Sequence, residues 1–155
     1  MEHRHIDAIE RAVDCATIKR PISAALGTEH VAINQYELAP GDSFAYGYHR
    51  HADQEEIFVV HQGTVTFETE AGEFEIGPSE VIRFAPGEFQ QGTNRGTERV
   101  IALAIGAPQD GGESEIFRYC PDCEERTRTS IEWTDDDTAK ITICGDCGTE
   151  TGRFT

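Results

Sequence analysis

Two groups of residues in this chain have the types and the spacing of metal ligands. His49 and His51 stand one residue apart, and Glu55 and Glu56 follow at the edge of an apolar run. Alternate residues of a strand face the same side, so His49 and His51 point together and Arg50 points away. The sequence ADQE after them reads as a polar turn. In the strand that follows, Glu56, Phe58 and Val60 share one face, while Glu55 and His61 fall on the other. If the two strands pair as a hairpin, Glu56 lies across from the histidines. Two neutral imidazoles and one carboxylate then converge, a donor set that suits Fe(II), Mn(II), Ni(II) or Zn(II). The competing reading makes these solvated strand residues.

The second group is Cys120, Cys123, Cys144 and Cys147, two CxxC pairs separated by 20 residues. A CxxC turn aims two thiolates at one point, and two such pairs make a closed tetrahedral Zn(II) site, with zinc favoured over iron for a structural centre. Disulfides or free thiols are the alternative, and a reducing compartment weighs against disulfides. Cys15 has no activating neighbour in sequence and reads as a small buried apolar residue.

The elements that must position these groups are mostly strands. Short apolar runs such as EIFVVHQGTVTFETEAGEFEIG, SEVIRFAPGE and RVIALAIGAP alternate with Pro and Gly turns, which argues for an all-β sandwich or barrel. Before them, Ile6, Ile9 and Val13 recur at helical spacing and predict a short amphipathic helix within residues 5–13. PQDGGES reads as a linker. In the tail, TRTSIEW, TDDDTAK and ITI read as a hairpin that carries the second cysteine pair to the first. The expected organisation is an N-terminal helical segment over 1–21 packed on a barrel, the barrel over 22–110, and a four-cysteine module over 115–155. About 40 residues bury too small a core to fold alone, so the module depends on its metal.

His49, His51, Glu56 and Gly63 in order, then Gly77, Pro86-Gly87, Gln90 and Asn94, resemble the two sequence motifs of the cupin superfamily. The resemblance covers about residues 22–107 and implies a small jelly-roll β-barrel with a pocket inside one end, a divalent metal and homodimerisation. It also implies that position 90 carries a metal-binding histidine. This chain has Gln90 there, whose neutral amide oxygen is a weaker donor. The barrel metal set is thus expected to be His49, His51, Glu56 and Gln90, with Phe58, Arg83 and Asn94 in the ligand pocket. One carboxylate against a divalent ion leaves net positive charge, which suits an anionic or hydroxylated ligand. The tail resembles zinc ribbons and rubredoxin-like knuckles, with Glu124 where those knuckles usually have glycine.

Composition narrows the partners. The net charge is −16, with 18 acidic and 8 basic residues up to position 112 and 11 and 5 beyond it. Neither part offers a cationic face for phosphate backbones, so nucleic acid and anionic membranes are poor partners. Lys19 and Lys140 are the only lysines, a composition resembling salt-adapted proteins. No apolar run is long enough to span a bilayer and no signal-peptide core precedes the first strand, so a cytoplasmic protein is expected. Three functions remain. One is a metal-dependent enzyme on a small polar metabolite, of isomerase, dioxygenase or decarboxylase type, with its catalytic residues unassigned. The second is a non-catalytic small-ligand sensor whose ribbon docks on a protein partner. The third is a nucleic-acid-associated regulator, which the acidity disfavours.

Overall fold

The computed structural model describes residues 1–155, folded as two facing antiparallel sheets. In chain order the strands are β1 (Ile18–Pro21), β2 (Ala32–Leu38), β3 (Tyr48–His51), β4 (Glu55–Gln62), β5 (Val65–Thr69), β6 (Gly72–Ile76), β7 (Val81–Phe84), β8 (Gln90–Thr93) and β9 (Val100–Ala107). The tail adds β10 (Ser114–Cys120), β11 (Glu125–Trp133), β12 (Lys140–Cys144) and β13 (Glu150–Phe154). One sheet has the order β1-β2-β9-β4-β7 and the other β13-β12-β11-β10-β3-β8-β5-β6. The all-β, jelly-roll-type architecture is as expected. No helix is long and apolar enough to cross a membrane.

The inward faces of the strands change character along their length, and that gradient creates the site. On β2 the inward residues run from Leu38 and Tyr36 to Asn34 and Ala32; on β4 they run from Val60 and Phe58 to Glu56. At one end Phe44, Phe58, Phe67 and Phe84 pack with ring centroids between 4.8 and 6.2 Å apart. Burying such rings is worth about 1.5–3 kcal/mol each, so this end carries the stability. A Cβ on Gly92 would lie 2.6 Å from Phe67 and 2.7 Å from Phe44, so a side chain at that β8 position would displace the aromatic pack. At the other end the inward residues are polar or small and leave a cavity.

Three expectations change. The helix within 5–13 is a single 3-10 turn, Ile6–Ala8. Nine residues offer too few hydrogen bonds to offset helix nucleation, and the chain instead runs into β1, where Lys19 pairs in register with Tyr36. A five-residue helix, Ile22–Leu26, follows β1. The segment read as a linker is pinned to the β3–β4 turn, with Ala52 N donating to Glu113 O at 2.9 Å and Asp53 N to Gly111 O at 3.1 Å. The tail is not set apart from the double sheet either. Strand β10 pairs with β11 on one side and with β3 on the other, so the sheet that carries the histidines runs on into the cysteine module.

Candidate functional site

His49 and His51 lie on β3, and Glu56 opens β4, but these strands do not pair. β3 is bonded to β8 and β10, whereas β4 is bonded to β7 and β9. The expected hairpin is therefore replaced by a crossover: the chain leaves one sheet after His51 and enters the other at Glu55. The three side chains meet across the interior between the sheets. Glu56 Oε2 is 3.8 Å from His49 Nε2 and 3.7 Å from His51 Nε2, and one donor atom from each of the three lies within 4.8 Å of the others.

Both imidazoles are held from behind. His49 Nδ1 is 3.1 Å from Gly47 O, and His51 Nδ1 is 2.7 Å from Ser114 Oγ on β10. With Nδ1–H donated to the Gly47 carbonyl, His49 presents the Nε2 lone pair inward, the usual way a ligating histidine is fixed. Burial lowers the His51 pKa. Burial works to raise that of Glu56, but the two neighbouring imidazoles and the Gln90 amide outweigh it and keep the carboxyl low. A neutral imidazole next to an ionised carboxylate is the protonation state that a divalent cation requires. Metal–ligand bonds of about 2.1 Å place neighbouring donors about 3.0–3.4 Å apart, so the two Glu56–imidazole separations lie within a few tenths of an ångström of that range.

Gln90 is the departure. Its Nε2, not its oxygen, faces the cluster, donating to Glu56 Oε2 at 2.9 Å and standing 3.2 Å from His49 Nε2. Its Oε1 is buried with no partner. The amide thus occupies the gap between the donors, and ligation by its oxygen requires the amide to turn over. The expectation of Gln90 as an oxygen ligand is not met in this arrangement, because an unshielded carboxylate attracts N–H rather than C=O.

The cavity beside the cluster has a volume of about 410 Å³. Sequence parity missed most of its wall. Gln54 lies over β9, donating to Pro108 O at 2.7 Å and Gln109 O at 3.2 Å. A Cβ on Gly106 would meet that Gln54 side chain at 2.5 Å, so a larger residue there would displace the Gln54 amide. Gln54 shares the parity of Glu56, a signal present in the sequence. Tyr36, Asn34, Lys19 and Asp14 complete the opposite wall. Of the residues expected in the pocket, Phe58 lines only a smaller adjoining cavity of about 60 Å³, which shares Tyr36, His49 and Glu56 with the larger one. Arg83 does not reach it: the residue is on the outer face of β7, its Nε 2.6 Å from Glu55 Oε2. Asn94 does not reach it either. It is fully buried and holds a turn, donating to Leu38 O at 3.0 Å and Glu98 O at 2.8 Å and accepting from Gly96 N at 3.0 Å. Cys15 is half-buried, its thiol directed at Asp14 Oδ1 and Ser43 O, and burial first and then Asp14 push its pKa up.

The cysteine group converges at the far end of β10. Cys120 and Cys147 sulfurs are 3.5 Å apart and those of Cys123 and Cys144 3.9 Å apart, with all four within 4.8 Å. Tetrahedral Zn–S bonds of about 2.3 Å imply sulfur separations of about 3.8 Å, whereas a disulfide needs about 2.05 Å. Glu124 follows the first pair with φ of 56°, so it takes the left-handed turn that glycine takes in other knuckles. The Thr127 hydroxyl, 3.1 Å from Cys144 Sγ, is the first of the contacts that hold that thiol down to about 6. Thr149 lowers Cys147, while burial raises Cys120 and the neighbouring Cys147 raises Cys123. Four thiols packed this closely compete for negative charge in one place. A divalent cation removes the competition by stabilising all four thiolates.

Residues 34–106 match the cupin domain family. The double sheet is a cupin fold. Its solved neighbours include a cupin-superfamily sugar phosphate isomerase of Silicibacter pomeroyi, 20% identical with a TM-score of 0.62, over 99% of this chain and 92% of that one. The polyketide cyclase RemF of Streptomyces resistomycificus is 18% identical with a TM-score of 0.64, over 80% and 90%. A Cupin 2 conserved barrel domain protein of Salinispora arenicola is 18% identical with a TM-score of 0.56, over 71% and 89%. The S. pomeroyi match extends through the four-cysteine tail; the S. arenicola match leaves more than a quarter of the chain uncovered. No curated protein sequence matches this chain.

Proposed function

We propose that this protein is a metal-dependent cupin that acts on a small hydroxylated metabolite, with sugar phosphates the first class to test. The observation that carries this reading is the convergence of His49, His51 and Glu56 at the wall of a polar cavity. The likeness to the S. pomeroyi sugar phosphate isomerase over nearly the whole chain suggests the substrate class. A divalent ion held by these three residues supplies Lewis acidity toward a carbonyl or hydroxyl oxygen. Gly47 O and Ser114 Oγ hold the imidazoles in place, and Gln90 steadies Glu56. The four cysteines hold a structural zinc ion that fixes β10 and the hairpin after it.

The test follows the solvent-exchangeable C–H beside a sugar-phosphate carbonyl by NMR in D₂O. Zinc- or manganese-loaded protein should incorporate deuterium there, and Glu56→Ala or His49→Ala should abolish incorporation with the fold retained. No exchange with any pentose or hexose phosphate by metal-loaded protein would contradict the isomerase reading. One observation favours a second reading, a binding module without chemistry. The Gln90 amide satisfies Glu56 directly, so the cluster is stable without an ion. Saturable ligand binding with no exchange would select it.

A further inference from the structure

The wall opposite the histidines contains a charged group that metal binding does not use. Lys19 on β1 points inward beside Tyr36 of β2, its ammonium 5.4 Å from the centroid of that ring, and its Nζ bonds Asp14 Oδ2 at 2.8 Å. The Asp14 side chain is 2% exposed and that of Lys19 25%. Asp14 is fully committed: Oδ1 accepts from Cys15 N at 2.9 Å and faces the Cys15 thiol at 3.2 Å, while Oδ2 takes the ammonium. Lys19 is not. An ammonium has three N–H donors; this one makes a single hydrogen bond, to Asp14, and otherwise sits beside the Tyr36 ring. Asn34, two residues from Tyr36 and on the same inward face, also lines the cavity and makes no side-chain hydrogen bond of its own.

The choice of residue separates a ligand site from a structural ion pair. Every other pair between a permanently charged base and a carboxylate in this chain uses arginine. A planar guanidinium spends its fork on fixed partners, whereas a compact ammonium held by one carboxylate keeps donors free in other directions. Burial opposes the charge on Lys19, but the Asp14 carboxylate at 2.8 Å more than offsets it, so the group stays cationic. Burial likewise keeps Tyr36 a neutral phenol, a donor and not an anion. The wall therefore presents N–H and O–H donors and a positive charge inward.

We propose that Lys19, positioned by Asp14 and flanked by Tyr36 and Asn34, is an oxyanion subsite that binds the phosphate or carboxylate end of the ligand, while the His49–His51–Glu56 centre takes the other end. This rests on the reading of the cavity as the ligand site and adds that the substrate is a small bifunctional molecule with an anionic terminus. A neutral sugar then binds without engaging Lys19.

With only two lysines in the chain, the proposal is directly observable. Full-length zinc-loaded protein labelled at the lysine ε-carbon gives two signals, one from Lys19 and one from Lys140. Inorganic phosphate and malonate are the probes, and xylitol is the neutral control. The Lys19 signal should move saturably with phosphate, with malonate or with both, which tells the two anion chemistries apart; Lys140 should stay still, and xylitol should not move Lys19. Because Lys19→Met alone leaves a buried unpaired carboxylate, the variant used is the double Asp14→Asn/Lys19→Met. It should weaken anion binding by about tenfold or more, the loss of one charge-assisted contact, and leave zinc binding unchanged. Movement of the His51 ring signals with a silent Lys19 would overturn the subsite and leave the metal reading intact. A responding Lys19 in Glu56→Ala protein without the barrel metal would uphold the subsite while the metal reading falls. Silence of both groups with every probe would overturn both.

Discussion

Gln90 sets what the histidine–glutamate cluster is able to hold. An imidazole at that position offers a nitrogen donor that first-row ions prefer to a neutral amide, and it cannot fill the gap with an N–H₂ group as Gln90 does. Gln90→His is therefore predicted to raise Zn(II) affinity by about tenfold or more, measured by competition with a chromophoric chelator; an unchanged affinity would mean that position 90 lies outside the coordination sphere. At this scale the sequence is informative only where a strand's parity decides. His49, His51 and Glu56 were legible because inward parity and ligand type coincide. Lys19 and Tyr36 were not, because their relation to the site is made across the space between two sheets. Arg83 and Asn94 show the converse. Both have chemistry that suits a pocket, but the outward face of β7 and a turn's hydrogen bonds claim them first.

Strand β10 joins the two candidate metal sites. Its first residue bonds His51 and its last is Cys120, so a ligand of one site and the orienting partner of the other share one strand. Removing the hydroxyl in Ser114→Ala frees the His51 ring. We predict about a tenfold loss of metal affinity in the barrel site, in the range measured for lost orienting partners, with the cysteine site unaffected. Equal affinity in both proteins would show that β10 does not position the ring. This continuity was hidden from the sequence, where PQDGGES has the composition of a linker; its hydrogen bonds to the β3–β4 turn depend on partners some 60 residues away. The cysteine hairpin, whose pairing is local, was legible.

At the edge of the other sheet, Glu37 on β2 takes Arg20 Nη1 at 2.8 Å and Arg99 Nη1 at 2.6 Å, tying β1 and the β8–β9 connection to the sheet. The Arg20 hydrogen bond is the main cause of its lowered pKa. Because the folded value lies below the unfolded one of about 4.3, the stabilisation is fully present above that pH and is lost as pH falls through the folded pKa. Glu37→Gln should lower thermal stability at pH 7 by about 1 kcal/mol. The gap from the unsubstituted protein should close only below about pH 4. A gap that persists at pH 2 would assign the effect to packing instead.

The molecule as a whole carries a net charge of −16. Its many Arg–Glu pairs sit mostly at the surface, where each contributes little and is screened by salt. Self-repulsion among the excess carboxylates is screened as well, over a Debye length that falls from about 10 Å at 0.1 M to about 3 Å at 1 M. Repulsion outweighs the pairs here, so the melting temperature should rise between 0.1 and 1 M KCl. A fall would show that the ion pairs dominate. The acidity was plain in the sequence; that the eight-stranded sheet runs across the expected boundary between barrel and tail was not.

The central claim is that His49, His51 and Glu56 hold a metal ion independently of the cysteines. Its most direct test is metal stoichiometry by elemental analysis and native mass spectrometry of untagged, full-length protein equilibrated with Zn(II) and freed of excess. Two ions per chain are predicted for the unsubstituted protein, one for Glu56→Ala, and one for the variant with all four cysteines changed to serine. One ion per chain in the unsubstituted protein, unchanged by Glu56→Ala, would contradict the account.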